Sequence, residues 1–296
     1  NAVVLISLLF NVFKTFASDV VAGVIVAIIA LPLSIALAIA SGVGPEQGLY
    51  TAIVAGLVIA LLGGSSVNIS GPTAAFATIV AGIVAQFGMS GLVMATIMAG
   101  IILIFMGIFK FGSLIKYIPY TITTGFTSGI ALTIVIGQLK DFFGLTFAEG
   151  TLAVETMEKL EAVIASFSTV NVWAVLVGLV GLAILIVWPK ISKKIPGSLI
   201  AVVVGVVMVK AFDLKVNTIG DLYEISRSLP KFSMPVFDLS VIKAVLPSAF
   251  TIAILAGIES LLSCVVSDSM IGDKHNSNTE LIAQGAGNIC SGLFGG

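Results

Sequence analysis

Apolar runs long enough to cross a bilayer recur along this chain of 296 residues, and they restrict its fold more than any motif does. A transmembrane helix needs roughly 20 predominantly apolar residues. Runs of that kind lie at about 19–41, 47–63, 91–109, 117–138, 171–188, 197–212 and 246–267. Only 10% of residues are charged and the mean hydropathy is +1.18, whereas soluble domains carry roughly a quarter charged residues. The fold class is therefore an all-α polytopic membrane protein, multi-pass in a cell inner or plasma membrane. With a net charge of −1 and its charges gathered in a few loops, the chain shows no nucleic-acid or polyanion footprint. Cys264 and Cys290 fall in apolar segments and read as small buried residues. The chain starts at Asn1 without a signal-peptide layout and reads as a fragment with a missing start.

The connections are fewer and more polar. Residues 139–170 are acidic, with a helical pattern in their second half, and residues 213–245 form a mixed-charge loop with Pro230 and Pro235, expected along one membrane face. The fourteen basic residues divide seven and seven between the two sides, so the positive-inside rule does not decide orientation. The Lys190, Lys193, Lys194 cluster in a short loop leans towards a cytoplasmic N-terminus.

Two segments, 73–87 and 278–296, are shorter or more broken than a spanning helix. The first is opened by Ser70-Gly71-Pro72-Thr73, which reads as a strand-to-helix break at membrane depth. A helix starting there aims unpaired N–H groups and a partial positive charge into the bilayer, which is tolerated only around a cavity. That points to an anion site. Proline also favours an ordinary helix start at a membrane surface. Yet residues 63–71 and 86–90 carry no charge, and Ser65, Ser66, Asn68 and Ser70 suit a wet cavity better than a headgroup zone.

An internal repeat supports a paired site, because transporters often place substrate where duplicated units meet. Residues 46–64 align with 278–296: Leu49 with Leu281, Leu61 with Leu293, and Gly63-Gly64 with Gly295-Gly296. Glu259 is the second signal, the only charged residue in the run from Pro247 to Ser267. A carboxylate at the bilayer centre costs about 2.5–3.5 kcal/mol on insertion scales and should face a cavity. Taking a proton removes that charge, so Glu259 suits proton coupling, with Ser263 at i+4 on the same face. A structural cap for a neighbouring helix and a sodium ligand are the competing readings.

The run from Leu255 to Gly296, with His275, Asn278, Glu280, Leu281, Gln284, Gly285 and Asn288 before Leu293-Phe294-Gly295-Gly296, and the stretch Ile69 to Ala75, resemble the SulP family of inorganic anion transporters and sulfate permeases. The resemblance implies fourteen segments in two inverted repeats of seven, with a short strand and half-helix at segment three, and a STAS domain after them. This chain, 1–296, would correspond to segments one to nine of the transport domain, without segments ten to fourteen and the STAS domain.

By the same resemblance, Gly71, Pro72, Thr73, Ala74 and Ala75 form one half of the substrate site, with Leu33 and Ser34 of the first span beside it. Leu33 stands where many relatives have glutamine. Glu259 takes the coupling-acid position. Glutamate there resembles proton-coupled relatives; aspartate followed by threonine, whose place Ser263 takes, resembles sodium-coupled bicarbonate carriers. The expected function is proton-coupled sulfate uptake by secondary active transport, with sodium- or proton-coupled bicarbonate or dicarboxylate transport, or an anion channel of the same fold, as alternatives. Expected partners are an inorganic anion, H+ or alternatively Na+, the lipid bilayer and a second copy in a homodimer, with no cofactor. His275 reads as a loop anchor, and one histidine with two scattered cysteines offers no enzyme constellation.

Overall fold

The computed structural model describes residues 2–117, 120–148, 153, 155–192, 195–223, 228–235 and 238–296. Its helices are α1 (Ala2–Ala40), α2 (Pro45–Leu62), α3 (Ala77–Ile108), α4 (Tyr120–Phe142), α5 (Thr156–Ala165), α6 (Val172–Ile191), α7 (Gly197–Ala211), α8 (Ile219–Leu222), α9 (Leu239–Ile271) and α10 (Ser277–Leu293). Five of the described helices are long and apolar enough to cross a membrane: α1 from Ser18, α2, α3 with the 3-10 turn before it, α6 and α9. Helices α4 and α7 occupy the other two expected spans.

Helix α3 is two helices joined at Gly88, whose φ of 65° and ψ of −169° a side chain rarely adopts. The first half, residues 77–87, follows a 3-10 turn at Ala74–Phe76. Eleven residues span about 16 Å, roughly half the hydrocarbon thickness. The broken segment expected at 73–87 is thus a half-helix.

Two expectations need correction. Among the described residues there is no β-strand, and residues 63–73 are irregular. At the start of this stretch the Gly64 carbonyl accepts from Asn276 N (2.8 Å), and the Gly64 N–H donates to Glu280 Oε2 (3.0 Å). Second, α9 starts at Leu239, well before the span expected at 246, with Pro247 inside it. Asp238 provides the cap, accepting from the Ser240 N–H (2.8 Å) and hydroxyl (2.6 Å), and these bonds hold its carboxyl below the usual carboxylate range.

The chain divides into two compact units. One comprises Asn1–Leu33 and Val175–Lys215. Within it, Trp188 Nε1 donates to the Ile195 carbonyl (2.9 Å) across the α6–α7 turn. Lys193 and Lys194 of the basic cluster lie outside the described residues.

The other unit, Ser34–Ala174 and Val216–Gly296, holds the main core. Leu103, Val245, Ala253 and Leu281 are fully buried where α3, α9 and α10 meet. Apolar burial adds little in lipid, so close approach of small residues carries helix contact there. Gly100 and Gly285 lie back to back: a Cβ at 100 would sit 2.6 Å from the Gly285 carbonyl oxygen, and one at 285 would run into the Gly100 carbonyl. The two Gly-Gly pairs of the sequence repeat each meet the other copy. Gly64 abuts Asn276 and the Glu280 nitrogen, and Gly296 abuts Thr51.

Gly285→Val is expected to destabilise this unit by about 2 kcal/mol, within the usual range for overpacking. Gly82→Ala, whose Cβ would meet nothing within 4 Å, should be neutral or stabilising. Thermal melts of the two variants in detergent measure the contrast; equal midpoints would show that the α3–α10 contact is not tight.

Candidate functional site

The irregular segment before the half-helix opens onto a cavity of about 340 Å³. Leu37 and Ala38 of α1 and Ser41 in the turn after it line it, with Gln47 and Thr51 of α2, residues 68–73, and Thr96 of α3. Helix α9 adds Glu259, Ser260 and Ser263, and α10 adds Gln284, Asn288 and Ser291. Of the described residues lining it, Glu259 alone bears an acidic or basic side chain. The remaining polar groups are hydroxyls and amides. An anion there would meet hydrogen-bond donors and a helix N-terminus in place of a lysine or arginine.

Thr73 caps that N-terminus in an extended conformation (φ −131°, ψ 146°), accepting from the Ala75 N–H at 3.4 Å. Its hydroxyl also meets Glu259 Oε1 at 2.6 Å. One side chain therefore joins the start of the half-helix to the single carboxyl of the cavity. Gly71 adds no side chain, and a Cβ there would point into open space.

The site residues expected from sequence separate into three groups. Gly71, Pro72, Thr73, Glu259 and Ser263 line the cavity together. Ala74 and Ala75 form the 3-10 turn behind them and are not among its lining residues. Neither are Leu33 and Ser34. Leu33 is exposed, and Ser34 is only 2% exposed, its carbonyl filling the space that a Cβ on Gly48 would need. Leu37 and Ala38, one turn further along α1, and Ser41 just after its end take the place expected for Leu33 and Ser34.

Glu280, present in the sequence only as part of the family pattern, turns out to have a structural role. It is 1% exposed, and four donors surround its carboxyl. Gly64 N–H reaches Oε2, while Asn68 Nδ2 (3.4 Å), Ser260 Oγ (3.0 Å) and Gln284 Nε2 (3.1 Å) reach Oε1. It ties the irregular segment to α9 and α10. That it is the only charged residue of α10 is the available signal.

His275 stands outside the cavity. Its Nδ1 lies 2.7 Å from Asp268 Oδ2 and its Nε2 2.9 Å from Ser277 Oγ, an order that superficially matches a hydrolase triad. The Asn278 and Thr279 N–H groups, which could stabilise an oxyanion beside Ser277, are both taken by Asn276 Oδ1 at 3.2 Å. The arrangement fastens the α9–α10 turn.

Comparison with known proteins agrees with this architecture. The sulfate permease family model matches residues 16–296. YvdB of Bacillus subtilis (strain 168), provisionally named a sulfate transporter, is 43% identical over 289 residues, covering 97% of this chain and 54% of that protein. The bicarbonate transporter BicA of Picosynechococcus sp. (strain ATCC 27264 / PCC 7002 / PR-6) is 35% identical over 297 residues, covering 96% and 51%. The solved transmembrane domain of a cyanobacterium BicA aligns with a TM-score of 0.83 at 34% identity, over 96% of this chain and 73% of that one. The chain spans about half the length of the curated relatives it matches. It is a multi-pass membrane protein and belongs to the sulfate permease family.

Proposed function

We propose that this chain is the N-terminal part, segments one to nine, of a secondary active transporter that carries an inorganic anion, sulfate above others, together with a proton. The observation that carries the reading is the 2.6 Å contact between Thr73 Oγ1 and Glu259 Oε1. It puts an ionisable group against the half-helix start that would hold the anion. The seating of Gly64 and Gly296 each against the other copy supports a pair of inverted repeats, seven segments apiece, with the second half-helix beyond this chain.

The anion would enter the cavity and be held by the partial positive end of the half-helix and by neutral donors. Such weak partial charges allow release as well as capture. With Glu259 ionised, a negative charge stands beside the anion and opposes its entry. Protonation removes that charge, so anion and proton load together, and movement of the site between the two membrane faces then delivers both.

Sodium-coupled bicarbonate transport is the second reading, favoured by the likeness to BicA over 96% of the chain. Glu259 with the Ser263 and Thr73 hydroxyls would then bind the coupling cation.

Uptake of labelled sulfate, bicarbonate and succinate by the full-length protein in liposomes, under separate proton and sodium gradients, decides between them. Sulfate uptake driven by an inward proton gradient is expected. Glu259→Gln should abolish the gradient-driven component while leaving anion binding largely intact; proton-driven uptake at the wild-type rate in this variant would sink the coupling. Thr73→Val removes both the cap and the link to Glu259. Sulfate affinity should fall, read by equilibrium binding, and an unchanged affinity would remove the half-helix from the site.

A further inference from the structure

The Gln284 side chain fixes the direction of a hydroxyl hydrogen in the cavity. Its Nε2 lies 3.1 Å from Glu280 Oε1 and 2.6 Å from Ser70 Oγ. Amide nitrogen and oxygen are assigned from the hydrogen-bond network. Glu280 also receives the Gly64 N–H, Asn68 Nδ2 and the Ser260 hydroxyl, and an ionised carboxyl only accepts. With Glu280 ionised, the Gln284 atom beside it is the NH2 group. One of its two hydrogens goes to Glu280 and the other to Ser70.

Ser70 Oγ is in consequence an acceptor towards Gln284, and its own hydrogen has to point elsewhere. Ser70 lines the cavity, immediately before Gly71-Pro72-Thr73. The Ser260 hydroxyl is spent on Glu280 and the Thr73 hydroxyl lies against Glu259. We propose that Ser70 donates its hydroxyl hydrogen to the transported anion, and that Gln284, held by Glu280, is the positioning residue that turns this hydrogen into the cavity. The assignment rests on the anion-transport reading above. It adds to the half-helix a directed donor, which gains strength from its place in a chain running Glu280, Gln284, Ser70.

The test measures sulfate uptake by the full-length protein in liposomes, with bicarbonate as a second probe, for the wild type, Ser70→Ala, Ser70→Thr, Gln284→Leu and the double variant Ser70→Ala/Gln284→Leu. Losing a hydrogen bond to a charged group corresponds to about a tenfold change in affinity. Ser70→Ala is expected to raise KM about tenfold, with kcat and the proton dependence close to wild type, and Ser70→Thr should restore KM. Gln284→Leu should raise KM as well, and the double variant should be no worse than Ser70→Ala, because both changes act through one hydroxyl.

Detergent melts separate this from misfolding: Ser70→Ala should keep a single cooperative transition, lowered only by the loss of the bond from Gln284. A Ser70→Ala protein with wild-type KM for both probes, in a preparation where Glu259→Gln has lost coupling, overturns the Ser70 assignment and leaves the transport reading standing. Additive KM increases in the double variant overturn the positioning role of Gln284. Uptake of neither probe by the wild-type protein overturns the transport reading and this assignment with it.

Discussion

The carboxyl of Glu280, buried and surrounded by four donors, is the interaction on which the arrangement of the cavity depends. A polypeptide stretch with no regular structure cannot satisfy its own backbone inside a membrane, where water is scarce and an unpaired group costs several kcal/mol. Residues 63–73 are such a stretch. Glu280 takes the Gly64 N–H and the Asn68 side chain, and Asn276 supplies the Gly64 carbonyl with a donor. The segment is thereby fixed against α10, and its end at Ser70 to Thr73 is delivered to the cavity in a defined pose. Ser260, also bound to Glu280, stands next to Glu259. One acid thus supports both the half-helix start and the helix that carries the other acid.

The two acids do different work because of what surrounds them. Glu280 is encircled by donors and accessible to almost nothing, whereas Glu259 lines the cavity and meets the single hydroxyl of Thr73. A carboxyl enclosed by four donors is held by its neighbours in one geometry. One with a single partner, beside open space, is held less tightly. Glycine makes the same division possible at the level of packing: Gly100 against Gly285 and Gly64 against Asn276 bring backbones within contact distance, so the polar groups of different helices come within hydrogen-bonding reach.

Much of the fold was legible because hydropathy and helix punctuation are local. Seven apolar runs of membrane-crossing length correspond to seven helices, and the half-helix at 73–87 is visible in Pro72 at its start. The acidic connection before residue 170 contains the expected helix, α5. The start of α9 was misread because Pro247 looks like a helix beginning, while the cap that in fact begins it, Asp238, lies nine residues earlier in a polar loop. The strand expected before the half-helix was misread for the opposite reason. Its extended character is local, but pairing depends on a distant partner, and the start of α10 bonds only the backbone of Gly64.

The sequence by itself determined that this protein crosses a membrane many times, that its third apolar segment is broken, and that Glu259 lies in an otherwise uncharged span, since each of these follows from residues close together in the chain. Only the tertiary structure decided which of these meet. Thr73 and Glu259 are 186 positions apart, and Ser70 and Gln284 are 214 apart. It also decided that Ser34 is sealed against α2 while Ser41 lines the cavity. A hydrogen bond between distant segments is set by how the helices pack, and in a membrane that packing turns on small residues whose spacing carries little hydropathy signal.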